Sequence, residues 1–445
     1  MNFFDITRLS KRSETTAPSG IDRVDLAYLK WLRESGLVEY LVNGISGFTH
    51  IHRSQGDAFL TAIESKWYGK HAQTDLHELP KLEDTSHRYR MASKWWARRK
   101  KLNEILSENS LANLSQAHDA DLDLLDVSAE PWAYRVDPAW RQSDKSGCFF
   151  GISHSMLSRT AYMAALANHR NLKRVFFIHD TIPCDFPEFC RDDEGARHLL
   201  RIRNAFRYGT HLVVNSDYTK QRLDDWRKRL GEKVLPIEVI PIGVDQGLLD
   251  YTHNDAARTD SKRPYFVILG TIEPRKNHAL ILDIWQSFVN ALTKEAVPEL
   301  LIIGKRGWEN EAVFKTLDHC ESLRGHVREM NHVSDDELWP LLKGARAMLF
   351  PSFVEGWGMP LVEALTLGVP VIASDIPAFH EAGQGAPELI SLSDSHDWAA
   401  LITDYAGLES TRRSDQQQRL EKFRPPTWSE HFAKVQTMIG DEPHK

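Results

Sequence analysis

Cysteine is scarce: Cys148, Cys184, Cys190 and Cys320 are four among 445 residues, and no two stand in a C-x-x-C spacing. So few thiols cannot staple a chain of this size, which excludes a disulfide framework and argues against structural zinc. Long apolar runs are missing as well. No window approaches the roughly 18 uncharged apolar residues of a membrane span, and the opening MNFFDITRLSKRSE has no apolar core of a secretory signal, so a cytoplasmic chain is expected. There is no Rossmann G-x-G-x-x-G, no P-loop and no Ser-His-Asp arrangement. Repeats of 20–50 residues and low-complexity tracts are absent. Positive charge is not in excess either: 55 Lys+Arg face 62 Asp+Glu for a net charge of −7, which argues against general nucleic-acid binding and leaves room for a local basic patch.

What is present is an ordinary globular composition, 42% hydrophobic, long enough for two to four domains at roughly 100–200 residues each. In the second half, short apolar runs at 266–269, 300–303, 347–350 and 369–373 are separated by segments of helical period. That alternation predicts a parallel sheet. Between the first two runs Leu280, Ile284, Trp285, Phe288 and Leu292 recur at three- and four-residue steps, one apolar helix face for packing on the sheet. Ser334 with Glu337 predicts a capping box, and Pro360 suits the first turn of another helix. The first half carries strand patterns at 38–42, 175–178 and 211–215 around a long polar stretch at 50–145. Pro236, Pro241 and Gly243, followed by a polar run at 252–263, mark a boundary. The expected fold class is α/β, two doubly wound parallel-sheet domains divided at 245/246.

Ligands of open α/β sheets bind at the carboxyl ends of the strands. The run PSFVEGWGMPLVEALTLGVPVIAS, 351–374, reads there as strand end, glycine loop, helix start and next strand. Gly356 and Gly358 permit a tight turn, and the amides of Gly358, Met359 and Leu361 lie near the positive end of the helix dipole, an arrangement that suits a diphosphate. Pro360 donates nothing. Glu355 sits in the loop and Glu363 one to two turns into the helix. A plain strand-to-helix turn with two solvated glutamates is the alternative.

The run EGWGMPLVE resembles the Glu-x7-Glu motif of retaining nucleotide-sugar glycosyltransferases of family 4, which have the two-domain GT-B fold. The likeness extends through VIASD at 371–375, HEAG at 380–383 and HVSDDEL at 332–338. The resemblance implies two Rossmann-like domains facing a cleft, acceptor domain 1–245 and donor domain 246–425, with 426–445 a terminal helix crossing back to the first domain. It implies that Glu355 lies by the donor sugar and that Glu363 holds the ribose hydroxyls.

A second matching stretch, LGTIEPRKNH at 269–278, follows a strand. In a metal-free site the leaving diphosphate is neutralised by side chains, here Lys276 with Arg275 beside it. Related mannosyltransferases carry an arginine early in this loop, where Thr271 stands in this sequence. Gly304 and Lys305 occupy the position of nucleotide base and ribose, and His332 and Val333 the base-contacting position. In FIHDTIP, 177–183, the resemblance makes His179 a ligand of the donor sugar, with Asp180 a turn or helix cap. PSGIDRV, 18–24, is similar to the family's N-terminal glycine loop, so that Gly20 allows close backbone approach and Arg23 reaches a phosphate or acidic acceptor. Ser216, in VVNSDYT, is a helix cap.

Arg88, Arg90, Lys94, Arg98, Arg99, Lys100 and Lys101, with Trp95 and Trp96 among them and no acidic residue between, form a basic patch for an anionic membrane surface or a solvated helix face. Asp119, Asp121 and Asp123 lack a preceding strand and are read as a solvated run, so no catalytic metal and no cofactor is expected. By resemblance the reaction is retaining transfer of a hexose from a nucleotide sugar, GDP-mannose first and UDP- or dTDP-sugars next, to a saccharide or lipid-linked saccharide in bacterial polysaccharide synthesis. It would take place in the cytoplasm or on the inner face of the membrane, without nucleic acid. A nucleotide-sugar epimerase and a silent nucleotide-sugar-binding scaffold are the rival readings.

Overall fold

The structure is a computed structural model that describes residues 1–68, 135–136, 140, 145–252 and 263–440, apart from 14, 16, 17, 37, 45, 46, 193 and 332. The basic patch at 88–101, the aspartates at 119–123 and His332 lie outside the described residues. The chain separates into two compact units, Met1–Ile240 joined by the chain from Phe432, and Pro241–His431. These cuts differ from the expected 245/246 and 425/426, because Val244 pairs with Thr427 and the Pro241 carbonyl bonds His431 Nδ1 at 2.8 Å, keeping both ends of that stretch in the second unit. Among the described residues no helix is long and apolar enough to cross a membrane.

In the first unit β1 (Asn2–Asp5), β2 (Val38–Gly44), β3 (Gly47–Ile51), β4 (Arg135–Val136), β5 (Gly147–Gly151), β6 (Leu172–Ile178), β7 (His211–Val214) and β8 (Ile237–Val239) form one sheet in the order β4-β3-β2-β1-β5-β6-β7-β8. Every neighbouring pair is parallel except β2 with β3. The helix Gly20–Glu34 covers the middle of the sheet through Tyr28 and Trp31, which pack edge-on or tilted against Phe150 of β5, and Tyr28 also meets Phe177 of β6. Phe432, from the helix Trp428–Ile439, stacks on Trp31 at 4.6 Å. Fully burying rings of this size contributes about 1.5–3 kcal/mol each.

The second unit is all parallel: β9 (Tyr265–Leu269), β10 (Glu299–Ile303), β11 (Val327–Met330), β12 (Ala347–Phe350), β13 (Val371–Ser374) and β14 (Glu388–Ile390) in the order β11-β10-β9-β12-β13-β14. The central strands β12 and β13 are buried at every residue, as a sheet covered on both faces requires. The edge strands β11 and β14 are only partly buried, which is why their sequences carry no apolar run. The helix His278–Ala291 turns Ile281, Ile284, Trp285 and Phe288 onto the sheet, where Trp285 meets Phe266 edge-on at 5.9 Å. The Glu337 carboxylate accepts both the amide and the hydroxyl of Ser334, at 3.1 and 3.0 Å, which starts the helix Asp335–Lys343.

Candidate active site

Strand order in the second unit reverses between β9 and β12, so the loops that leave these two strands flank the switch point of the sheet. The loop after β9 runs from Gly270 through a single 3-10 turn, Pro274–Lys276, to Asn277, which takes the left-handed conformation (φ 51°) before the helix begins at His278. Neighbouring loops are laced to it: the Gly270 amide donates to Ile303, Ile272 to Lys305, Gly307 to Ile272 and Gly304 to Met330, all at 2.9–3.0 Å. Gly304 is needed for that lacing, since a Cβ there would stand 1.9 Å from the Gly270 carbonyl oxygen.

The loop after β12 is fastened to the same turn. The Phe353 amide donates to the Arg275 carbonyl at 2.9 Å, and Arg275 Nη1 donates to the Val354 carbonyl at 2.9 Å. This brings Glu355, 7% exposed, between two cations: Lys276 Nζ lies 2.5 Å from Oε1 and Arg275 Nη1 2.7 Å from Oε2. Ser352 Oγ donates to Oε1 at 2.9 Å, and Arg275 reaches back with Nη2 to Glu273 at 2.7 Å. The Lys276 ammonium also sits 4.4 Å over the Phe350 ring. Burial pushes the Glu355 carboxyl up, but the Arg275 and Lys276 charges and their hydrogen bonds overcome it and bring the group down to about 2. Burial lowers the Lys276 ammonium, with Glu355 opposing. Burial and then the Lys276 charge bring the imidazole of His278 down to about 4, so it adds no charge at neutral pH.

Gly358 caps the helix Met359–Thr366 with φ 97°, and its missing Cβ makes room for Phe379 Cε1, which would be 2.7 Å away. Of the amides expected to face an anion, that of Leu361 is taken by the Gly358 carbonyl at 3.0 Å. The helix turn itself uses this donor. The amides of Gly358 and Met359 donate to no described residue. Gly356 is buried in the loop, Pro360 occupies the first helical turn and Glu363 lies half-buried on the same helix. Gly304 and the exposed Lys305 follow β10, and Val333 is half-buried beyond β11.

The remaining expected residues belong to the first unit. His179 follows β6 and is 5% exposed, its Nε2 bonded to the Ile152 carbonyl at 3.0 Å. Asp180 Oδ1 accepts the Ile182 amide at 3.0 Å, the expected cap, and Ser216 Oγ likewise accepts the Thr219 amide at 3.0 Å. Gly20 is the first residue of the helix Gly20–Glu34, with no positive φ, and Ser19 and Asp22 form a capping box before it. The segment is therefore a helix entry rather than a glycine turn, because Asp22, gripped by Arg8 at 2.6 Å and Arg12 at 3.1 Å, fixes its first turn. Arg23 is half-buried there.

The structure thus brings Glu355, Arg275 and Lys276 together and adds Ser352, Glu273 and Phe350, whose place at strand ends is their only sequence signal. A different group of side chains able to hold a metal, Asp394, His396 and Asp397, lies among the described residues at the start of the helix Ser395–Ala406, where Asp394 caps the Asp397 amide at 2.9 Å.

Residues 252–414, most of the second unit, match the family described as glycosyl transferases group 1. The chain is 27% identical over 248 residues to the serotype-specific mannosyltransferase WbdA of Escherichia coli, a match covering 52% of this chain and 30% of WbdA. It is 28% identical over 228 residues to the O-antigen chain mannosyltransferase RfbU of Salmonella typhimurium, covering 51% of this chain and 58% of RfbU. These matches therefore span less than two thirds of either relative. Among solved structures, Anabaena Alr3699/HepE in complex with UDP superposes with a TM-score of 0.56 over 99% of both chains at 14% identity. That likeness shows the fold, the two parallel-sheet α/β domains of the GT-B class.

Proposed function

We propose that this chain is a retaining glycosyltransferase that moves a hexose, with mannose from GDP-mannose as the first choice, to a saccharide or lipid-linked saccharide in bacterial polysaccharide synthesis. The observation that carries this reading is the buried Glu355 held between Arg275 and Lys276 at the switch point of the unit that matches glycosyl transferases group 1. Its similarity to the two mannosyltransferases supports the choice of sugar.

The donor diphosphate takes the Arg275 and Lys276 charges and the Gly358 and Met359 amides, with Gly356 and Gly304 letting the backbone come close. Glu363 holds the ribose, and Val333 contacts the base through its backbone. Glu355, released from part of its ion pairing, faces the sugar, and His179 binds a sugar hydroxyl. The bond from C1 to the diphosphate oxygen breaks as the acceptor oxygen bonds C1 from the same face. The acceptor's proton passes to the departing phosphate oxygen. The two cations stabilise the charge that develops on that leaving group, so the protein's own side chains supply the electrostatic catalysis. No metal or other cofactor enters this scheme. Arg23 meets an acidic acceptor, and the basic residues 88–101 draw the protein to an anionic inner membrane surface.

The test is nucleoside diphosphate release from GDP-mannose, UDP-sugars and dTDP-sugars, with and without a lipid-linked saccharide acceptor, for wild type and Glu355→Ala. Acceptor-stimulated release from one donor, lost in the variant, supports transfer and names the sugar. Conversion of a donor without acceptor indicates an epimerase. Binding with no turnover under any condition indicates a scaffold, and no binding of any nucleotide sugar sinks the reading.

A further inference from the structure

Three buried histidines meet behind the carboxyl end of β6. His154, in the 3-10 turn His154–Met156 that follows β5, is 8% exposed, His179 5% and His198 1%, with ring centroids of His154 4.9 Å from His198 and 5.1 Å from His179. Their hydrogen bonds are directional. The His179 backbone amide donates to His154 Nε2 at 2.9 Å, which only an imidazole with a bare Nε2 can accept. His198 Nε2 donates to the Asp180 carbonyl at 2.9 Å, and Asn215 Nδ2 donates to the His179 carbonyl at 2.8 Å. The peptide groups on both sides of His179, and the next one along at the Asp180 carbonyl, are therefore pinned by side chains from three other segments.

We infer that His154 is a positioning residue: by accepting the His179 amide, its neutral ring fixes the strand-end turn from which the His179 imidazole is presented to substrate. The inference rests on the reading of His179 as a sugar-binding residue, and it assigns His154 no contact with substrate. Three features support it. The bond lies inside the protein, where an amide without a partner is costly. β6 ends at Ile178, so the His179 amide lies just beyond the strand and is bonded by a side chain rather than by the sheet ladder. Burial, and then the charges of His198, His179, Arg201 and Arg8, hold the His154 ring well below its ordinary value, which favours the neutral ring that this acceptor requires.

The test uses the full-length protein and two substitutions. His154→Phe keeps a ring and removes the acceptor; His154→Gln keeps an acceptor that does not titrate. In His154→Phe, hydrogen exchange of the His179 amide is expected to quicken, and kcat for hexose transfer to fall about ten- to a hundredfold, while KM for the nucleotide sugar changes little. His154→Gln restores both. Against a His179→Ala background His154→Phe is expected to cost nothing further in kcat, since a residue that acts through His179 has nothing left to position. Unchanged exchange in His154→Phe overturns the inference, and so do losses that multiply in the double variant. If the wild type transfers no sugar from any donor, the glycosyltransferase reading has failed on its own. Exchange then decides alone whether His154 holds the His179 amide, and unchanged exchange overturns the inference in that case too.

Discussion

Glu355→Gln sets the two demands on the cation pair against each other. In the free protein Arg275 and Lys276 are occupied by the Glu355 carboxylate, and in the proposed complex they serve the diphosphate. The carboxyl is held at about 2 against an ordinary 4.5, which at 1.36 kcal/mol per pH unit is about 3 kcal/mol of net preference for the ionised form, after the cost of burial. A diphosphate must draw the cations partly away from that partner. Replacing the carboxylate with a neutral amide of the same shape releases them. Nucleoside diphosphate is therefore expected to bind Glu355→Gln about five- to a hundredfold more tightly than wild type, the upper end being the full 3 kcal/mol. Sugar transfer, which in the proposed scheme needs the carboxylate at the sugar, is expected to fall about 10²–10³-fold. Calorimetric titration with GDP, run beside UDP and dTDP, measures the first quantity and product release the second. The preferred nucleotide binding the variant no more tightly than wild type refutes the competition argument. Transfer within about threefold of wild type refutes the role of the carboxylate.

Other perturbations separate electrostatics from packing. Lys276→Met leaves Glu355 bonded to Arg275 and Ser352, so stability measured by urea unfolding should fall by about 1–2 kcal/mol, short of the roughly 3–5 kcal/mol expected for an orphaned buried charge, while turnover falls about 10²–10³-fold. Gly304→Ala drives a Cβ to 1.9 Å from the Gly270 carbonyl and should cost about 3 kcal/mol or more, whereas Gly325→Ala, with open space at φ 81°, should cost about 1–2 kcal/mol in the same urea unfolding assay. Asp25 is fully buried with both carboxylate oxygens unpartnered among the described residues, and burial raises it well above its ordinary 3.8, with Arg8 opposing and Asp22 and Asp5 adding. The folded state thus holds that proton more tightly than the unfolded chain. Its contribution is complete below pH 3.8 and is lost as pH rises toward the folded value, so Asp25→Asn should gain stability over wild type as pH increases. A constant difference in urea midpoint between pH 4 and pH 8 counts against this account.

How much could be read from the sequence follows from where water lies. Strands buried on both faces announce themselves: the apolar runs at 266–269, 300–303 and 347–350 are β9, β10 and β12 almost residue for residue. The edges β8, β11 and β14, written IEV, VREM and ELI, keep polar residues facing water and have no apolar run to find. β1 and β5, though central, are written NFFD and GCFFG, with only two and three apolar residues between polar or glycine ends, so no apolar run stands out. In the site, Glu355, Arg275 and Lys276 were legible as residue types behind strands. Their pairing across 79 residues was not, because it depends on β9 and β12 being neighbours in space. Nor does a sequence say that the Leu361 amide is spent inside its own helix turn, or that His154, 25 residues upstream, accepts the His179 amide.

The same topological rule acts in both units with opposite electrostatic outcomes. In the first sheet the order reverses between β1 and β5, and the carboxyl ends of β1, β5 and β6 present Asp5, His154 and His179. Burial raises Asp5, lowers His154 and brings His198 down to about 3, so each of these groups is pushed toward its neutral form. In the second sheet the switch point holds two cations against one carboxylate, with two unspent amides at a helix start. A dianionic leaving group is stabilised by the second arrangement, whose two cations already face an anion. A neutral hydroxyl is hydrogen-bonded by the first without a charge to strip of water. In the proposed scheme the second switch point thus serves the departing diphosphate, and His179 at the first serves a neutral hydroxyl of the donor sugar.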